Sequence, residues 1–330
     1  MQQRSLGRTG HDVSIIGLGT WQLGADWGDV SDADALAVLD AAAASGVTVF
    51  DTADVYGDGR SESTIGRWLV ANPNTAMTVL TKMGRRLPSQ THDGYSPENF
   101  RAWTDRSRTN LGVDTLDLVQ LHCPPASVID DDAVFEALDA LVADGAIGAY
   151  GVSVETVDEA LAAIARPSVQ SVQIILNAFR LKPLDAVLPA AIEANTAIIA
   201  RVPLASGLLS GRYTETTAFA ADDHRTYNRD GSAFDVGETF SGVDYETGVA
   251  AAREFVQLAA EAAPDATPAQ VALAWVAAQP GVTTVIPGAR NPEQARANAA
   301  AGGITLPPGF TEAVSDLYDR RFRAAVHPRW

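Results

Sequence analysis

Eight short β-branched runs, each followed by a stretch of helical character, constrain this chain more than any other feature of its sequence. They fall at 13–17, 47–50, 78–81, 116–121, 147–152, 169–175, 197–202 and 282–286. The runs are apolar without polar alternation, so each strand is expected to be covered on both faces. The stretches between them carry helix signals. Ser31 precedes an Ala/Leu/Val-rich run that closes at Gly46, and Ser96-Pro97-Glu98 opens one that closes at Gly112. A repeated βα order implies parallel pairing through right-handed crossovers, and eight units match an α/β fold of the (β/α)8 TIM-barrel type. A doubly wound open sheet with a second domain is the competing architecture. At 330 residues and 46% hydrophobic, a single barrel domain over 1–330 is within the usual range.

The spacing departs from regularity in three places. The gap between the seventh and eighth runs is far longer than the others, and residues 213–247 within it are rich in Gly, Thr, Asp and aromatics without a clear period. Such a segment is expected to be a long loop over one mouth of the barrel. Helices are expected after it, at about 246–262 and 267–279. A hairpin through Leu6, Thr9-Gly10 and Val13 precedes the first strand, and a C-terminal tail around 317–322 follows the last unit.

Charge and cysteine content exclude several classes of function. A net charge of −17 repels nucleic acid and anionic membranes, so a phosphate-bearing cofactor would need local basic residues. One cysteine allows no internal disulfide, and the five histidines show no metal-ligand spacing, so no metal is expected. Met1 is followed by Gln2, Gln3 and Arg4, unlike a signal peptide, and no apolar stretch reaches the length of a membrane span. The cytoplasm is the expected compartment.

In a TIM barrel the chemistry sits at the C-terminal ends of the strands. Asp51 ends the second run, with Tyr56 just beyond it in FDTADVYG; Lys82 ends the third in VLTK; His122 ends the fourth in LVQLH. A phenol of ordinary pKa ~10 is a poor acid at neutral pH, and an adjacent ammonium lowers that value. Lys82 is therefore expected to pull the Tyr56 phenol down, Asp51 to hold Lys82 charged, and His122 to hydrogen-bond and orient a substrate oxygen. The bland alternatives are a structural Asp51–Lys82 ion pair and a core histidine. Four such groups at adjacent strand ends argue against both.

This constellation resembles the catalytic tetrad of the aldo-keto reductases, and the resemblance runs from RSLGRTGHDVSIIGLGTW at the N-terminus over nearly the whole chain. It implies reversible hydride transfer from NADPH to the carbonyl of a small aldehyde or ketone, with NADH the lesser cofactor and Tyr56 as proton donor. Gly19, Thr20 and Trp21 match the segment near the nicotinamide, with Asp51 beside them, and Ser153 and Gln173 match residues that hold its carboxamide, with Asn177 close by. Pro203, Leu204, Ser206 and Leu208 match the loop along the pyrophosphate. Gly288, Arg290, Gln294 and Asn298, in IPGARNPEQARAN, match the adenosine-phosphate site, where a helix beginning near Asn291 adds its dipole. Three positions depart from the family pattern. Val154 follows Ser153 where many members have Asn; Arg201 stands where many have an aromatic on the nicotinamide; Gly288 replaces a frequent Lys, leaving Arg290 for the 2′-phosphate.

Trp21, Trp27, Tyr56, Arg85 and His122 are candidates to face substrate, along with His224, Phe234 and Phe240 in the long loop. Gly17-Leu18-Gly19 mimics a dinucleotide fingerprint, but Gln22 occupies the third glycine position. Two other functions compete. One is a Schiff-base lyase or aldolase using Lys82, which a carboxylate partner disfavours. The other is a nicotinamide-binding regulatory subunit, which a complete tetrad makes unnecessary. Substrate identity and oligomeric state are not legible.

Overall fold

The computed structural model of the chain describes residues 1–24 and 30–330. A two-stranded antiparallel hairpin comes first, β1 (Gln3–Ser5) with β2 (Asp12–Ser14), Arg4 lying opposite Val13. Eight parallel strands follow: β3 (Leu18–Gly19), β4 (Val49–Asp51), β5 (Thr78–Met83), β6 (Leu118–His122), β7 (Tyr150–Ser153), β8 (Ser171–Ile175), β9 (Ala197–Arg201) and β10 (Val282–Val285). Each is hydrogen-bonded to the next in chain order. The ends of the sheet meet through parallel bridges from Ile16 to Val285 and Gly19 to Gly288, with Gly17 N donating to the Val285 carbonyl at 2.8 Å. The fold is a TIM barrel with an N-terminal hairpin.

The first β-branched run is divided differently from the expectation. Residues 12–14 belong to the hairpin, and the barrel strand is the two-residue β3 beyond it. The chain passes so close to β4 at Gly17 that a Cβ there would lie 2.8 Å from Val49 Cγ1. The runs from Leu116 and Ile147 start as an isolated parallel bridge ahead of β6 and β7.

Strand periodicity explains why polar groups collect at one mouth. Alternate residues of a strand face the same side, so Val49 and Asp51, Leu80 and Lys82, Ile199 and Arg201 each share a face, as do Leu118, Gln120 and His122. The lower members, Val49, Leu80, Leu118, Ala149, Ala197 and Ile199, form one apolar cluster closed from beneath by Leu6 and Val13 of the hairpin. The upper members are buried and polar. A second, larger core lies between the strands and the surrounding helices.

The helix signals act as expected. Ser31 caps Asp32–Ala44 by accepting from Asp34 N, Ser96 caps Pro97–Leu111, and Gly112 ends that helix at φ 69. Thr267 and Gln270 form a capping box on Pro268–Ala278, and Tyr245–Ala262 precedes it. Between β9 and Tyr245 the chain forms only short turns, including His224–Tyr227, Val236–Glu238 and Phe240–Gly242. Trp330 anchors this loop by donating from Nε1 to Asp235 Oδ1 at 3.0 Å. Among the described residues, no helix is long and apolar enough to cross a membrane.

Candidate active site

The ends of β4, β5 and β6 bring Asp51, Lys82 and His122 together with Tyr56, which lies in the turn after β4. Lys82 Nζ donates to Asp51 Oδ1 at 2.6 Å, to the Thr52 carbonyl at 2.8 Å and to Tyr56 Oη at 3.3 Å. An ammonium has three protons, so all of its donors are used. Because Tyr56 Oη accepts from Lys82, its own proton is free to point elsewhere. Gln173 Nε2 donates to Asp51 Oδ2 at 2.7 Å, so both carboxylate oxygens are held. The Tyr56 ring meets the His122 ring edge-on at 6.0 Å and stacks at 6.1 Å on Trp21.

Electrostatics assign each group a protonation state. Burial tends to lower the Lys82 pKa, but Asp51 and Tyr56 outweigh it and raise the pKa above its ordinary value. Burial is also the largest influence on Tyr56 and raises its pKa; Asp51 and Glu238 add to this and Lys82 opposes it. The expectation that Lys82 brings the phenol below its ordinary value is thus corrected. The ammonium limits a rise that burial would otherwise make larger, and the phenol keeps its proton at neutral pH. Burial, then Arg85 and Lys82, hold His122 well below the ordinary imidazole value. His122 is therefore neutral, and its Nδ1 has no hydrogen-bond partner among the described residues.

A cleft of about 500 Å³ opens beside this cluster. Of the residues expected to bind cofactor, Gly19, Thr20, Trp21, Asp51, Gln173, Arg201, Pro203, Leu204, Ser206, Gly288, Arg290 and Gln294 line it. Three do not. Ser153 is buried at the end of β7 with its Oγ 3.6 Å from Cys123 Sγ, Leu208 is wholly enclosed in the core, and Asn298 supports the wall by donating to the Gly288 carbonyl at 3.1 Å. Asn177 is likewise structural, bonding to the Val202 carbonyl and Ser241 Oγ. Trp27 lies outside the described residues. His224 lines the cleft 5.2 Å from the Trp21 ring, and Phe234 meets Trp21 edge-on at 6.0 Å.

Arg201, which lines the cleft at the end of β9, is held by carboxylates. Its guanidinium is buried, 2.8 Å from Glu155 Oε1, 3.7 Å from Glu238 Oε2 and 3.1 Å from the Val154 carbonyl. Arg85 reaches the same carboxylates, at 2.7 Å from Glu238 Oε1 and 3.9 Å from Glu155 Oε1. Glu155 and Glu238 were missed from sequence, as were Gln22, Tyr213 and Arg225 in the cleft wall. Glu155 could have been suspected two residues past the end of β7. Glu238 sits in an aperiodic loop that gave no signal.

The wall formed by 202–207 concentrates backbone strain. Val202, Ala205 and Ser206 have φ of 51, 48 and 54, a region that side-chain-bearing residues rarely adopt. At the far end, Asn291 caps the helix Pro292–Ala300 next to Arg290 and Gln294, and Arg225 lines the same end. Gln22 Oε1 is buried in the cleft wall without a partner among the described residues. An extended polar ligand with an anionic far end fits this donor set.

Near the tetrad, Asp54 is buried with neither carboxylate oxygen partnered among the described residues. Burial, reinforced by Glu62, pushes its pKa up to about 7. A carboxyl whose folded pKa exceeds its unfolded one destabilises the fold progressively as pH rises between those two values, here from about 4 to about 7. Asp54→Asn, which keeps the shape of the neutral acid, should therefore raise stability by up to about 4 kcal/mol at pH 8.5 and by almost nothing at pH 4. Urea titrations at the two pH values check this, and equal gains at both would show that Asp54 ionises normally.

The buried Asp51–Lys82–Tyr56 chain, the neutral His122 and the adjoining cleft thus stand together at one mouth of the barrel. The chain belongs to the aldo/keto reductase family, whose sequence model matches residues 15–319. A Mycobacterium tuberculosis (strain H37Rv) protein named only as an uncharacterized oxidoreductase is 33% identical over 318 residues, covering 94% of this chain and 91% of that protein. The solved structure of a glycerol dehydrogenase from Gluconobacter oxydans is similar at a TM-score of 0.80 and 29% identity, covering 99% of this chain and 98% of that one. An aldo-keto reductase from Klebsiella pneumoniae, solved in complex with NADPH, shares the fold at a TM-score of 0.71 and 24% identity over 96% of each chain.

Proposed function

We propose that this chain, as one barrel domain over residues 1–330, reduces an aldehyde or ketone to the alcohol with NADPH. The observation that carries this reading is the Asp51–Lys82–Tyr56 hydrogen-bond chain with neutral His122 beside it, at the end of a cleft that suits an extended nucleotide. The bound cofactor supplies a hydride; the protein supplies the rest. Neutral His122 donates an N–H to the carbonyl oxygen and orients it. Tyr56, protonated and receiving a hydrogen bond from Lys82, delivers its proton to the developing alkoxide, and in the reverse direction its phenolate takes a proton back. Lys82, fixed by Asp51, stabilises that phenolate.

Gly19, Thr20, Trp21 and Gln173 would hold the nicotinamide end, Pro203, Leu204 and Ser206 the pyrophosphate, and Arg290, Gln294 and Arg225 the 2′-phosphate. Arg290 and Arg225, grouped around the Asp223 carboxylate at 3.9 and 2.5 Å, bring positive charge to that end of a cleft in a chain of net charge −17. A Schiff base on Lys82 is disfavoured, because its nitrogen is protonated and committed to three acceptors.

NADPH oxidation followed at 340 nm with a panel of small aldehydes and ketones tests this reading, and tight NADPH binding with no turnover of any carbonyl would favour a regulatory role. Arg290→Ala should raise the Kd for NADPH by about tenfold and leave that for NADH nearly unchanged, as expected for losing one charged hydrogen bond to phosphate. Fluorescence titration with both nucleotides measures this. Equal effects on the two would move the 2′-phosphate site elsewhere.

A further inference from the structure

The turn that brings Glu238 and Phe240 to the barrel mouth is held from behind by a residue outside the reaction. Trp330 lies beyond the short helix Arg323–Val326 and is buried. That tail is tied to the barrel body by His327, whose Nε2 lies 3.0 Å from Asp185 Oδ2 and whose Nδ1 lies 3.2 Å from Tyr318 Oη. The indole therefore stands on a fixed root. Its ring packs on the Arg180 guanidinium at 4.3 Å, and Arg180 in turn donates to the Glu155 carbonyl just past β7. The ring also fills a slot left open by glycine, because a Cβ at Gly242 would collide with it. Its Nε1 donates to Asp235 Oδ1 at 3.0 Å, the same oxygen that accepts from Gly237 N at 2.7 Å. Arg329 adds a hydrogen bond to the Gly242 carbonyl at 3.1 Å.

The turn held in this way is strained. Phe240, Ser241 and Gly242 have φ of 53, 60 and 71, three consecutive residues in the left-handed region, two of them bearing side chains. Such conformations persist only where surrounding contacts impose them. Hydrogen bonds carry the position of the turn into the cleft. Phe240 N donates to Ser206 Oγ at 2.9 Å, and Ser206 Oγ donates to the Glu238 carbonyl at 3.2 Å. Asn177 joins Ser241 Oγ to the Val202 carbonyl at 2.6 and 2.9 Å. Val202 and Ser206 both line the cleft, at φ of 51 and 54. One strained segment is thus braced against another, and Trp330 braces the outer one.

We propose that Trp330 is a positioning residue for the nucleotide: by pinning the turn 235–242 it fixes the Ser206 wall of the cleft, and with it the affinity for NADPH. The indole is not part of the cleft lining and acts through Asp235, Gly242 and Ser206. The inference rests on the reading of this cleft as the nucleotide site, and its test separates the two.

Trp330→Ala and Trp330→Phe are compared with wild type by titration with NADPH, followed by the nucleotide's own emission. Trp330→Ala should raise the Kd by about tenfold, a loss of the size expected when contacts are displaced without being removed. Trp330→Phe keeps a ring in the slot and loses only the donor to Asp235, so its Kd should lie between, about threefold above wild type. In steady-state reduction the KM for NADPH should follow the Kd, while kcat at saturating NADPH stays within about threefold, because Tyr56, Lys82 and His122 are untouched. A purely structural Trp330 gives a different result: fewer molecules bind, and those that do keep the wild-type Kd. That outcome, or a loss confined to kcat, overturns the inference and leaves the reductase reading standing. If Trp330→Ala does not fold, Trp330→Phe decides, and a wild-type Kd in that variant overturns the inference. Failure of the wild type to bind either NADPH or NADH overturns the reading of the cleft as well.

Discussion

Replacing Tyr56 by Phe should lower kcat for NADPH-dependent carbonyl reduction by about 10²–10⁴-fold, the range associated with one well-placed general acid. The substitution removes one oxygen. It leaves the ring between Trp21 and His122, so the wall of the cleft is kept. The Kd for NADPH should therefore stay within about twofold, and the loss should appear in kcat and kcat/KM alike, the pattern of an interaction made in the transition state. Single-turnover kinetics with prebound NADPH separate this from a binding defect. A variant retaining ordinary kcat would remove Tyr56 from the role of proton donor.

Lys82→Met should be the most damaging single change to stability. Lys82 is 1% exposed, and its removal strands a buried Asp51 carboxylate and the Thr52 carbonyl. Breaking a buried pair from one side typically costs about 3–5 kcal/mol, because the remaining charge is left uncompensated. Pairing the change with Asp51→Asn should recover much of that loss by discharging the orphan. It should recover none of the activity, since the phenolate of Tyr56 still lacks its cation. Urea unfolding of the two variants, read beside NADPH oxidation, checks both halves. A loss below about 1 kcal/mol in Lys82→Met would mean that water or a neighbouring group replaces the ammonium.

The contrast between these residues and Glu238 shows what a sequence of this type discloses. Asp51, Lys82 and His122 are legible because they end apolar strands, where strand periodicity forces a side chain either into the barrel or out of it. The polar residues two positions after Val49, two after Leu80 and four after Leu118 stand at a predictable height on a predictable face. The hairpin and most strands follow from the same local rules. The short β3 does not, since two residues cannot display a period and its pairing is imposed by closure against Val285 and Gly288. The cluster of Arg85, Glu155, Arg201 and Glu238 is hidden for another reason. Its members come from three strand ends and an aperiodic loop, and only tertiary structure brings Glu238 to Arg85 across 153 positions. Likewise, the expected fall in the Tyr56 pKa treated the lysine as its only neighbour. The structure adds burial and two carboxylates, and the sign changes.

Lys82 has one more property. The chain contains only two lysines, Lys82 and Lys182, against a large complement of arginines. Isotopic enrichment of lysine side-chain nitrogen alone would thus yield a spectrum of two ammonium resonances. One belongs to a half-buried residue in a turn after β8, and the other to a walled-off group whose proton exchange with solvent is slowed by burial and three acceptors. In the proposed reaction, cofactor docking, substrate capture and ionisation of the phenol would all occur within reach of that second nucleus. The amino-acid economy of this protein has left its proposed reaction centre with a nearly background-free reporter.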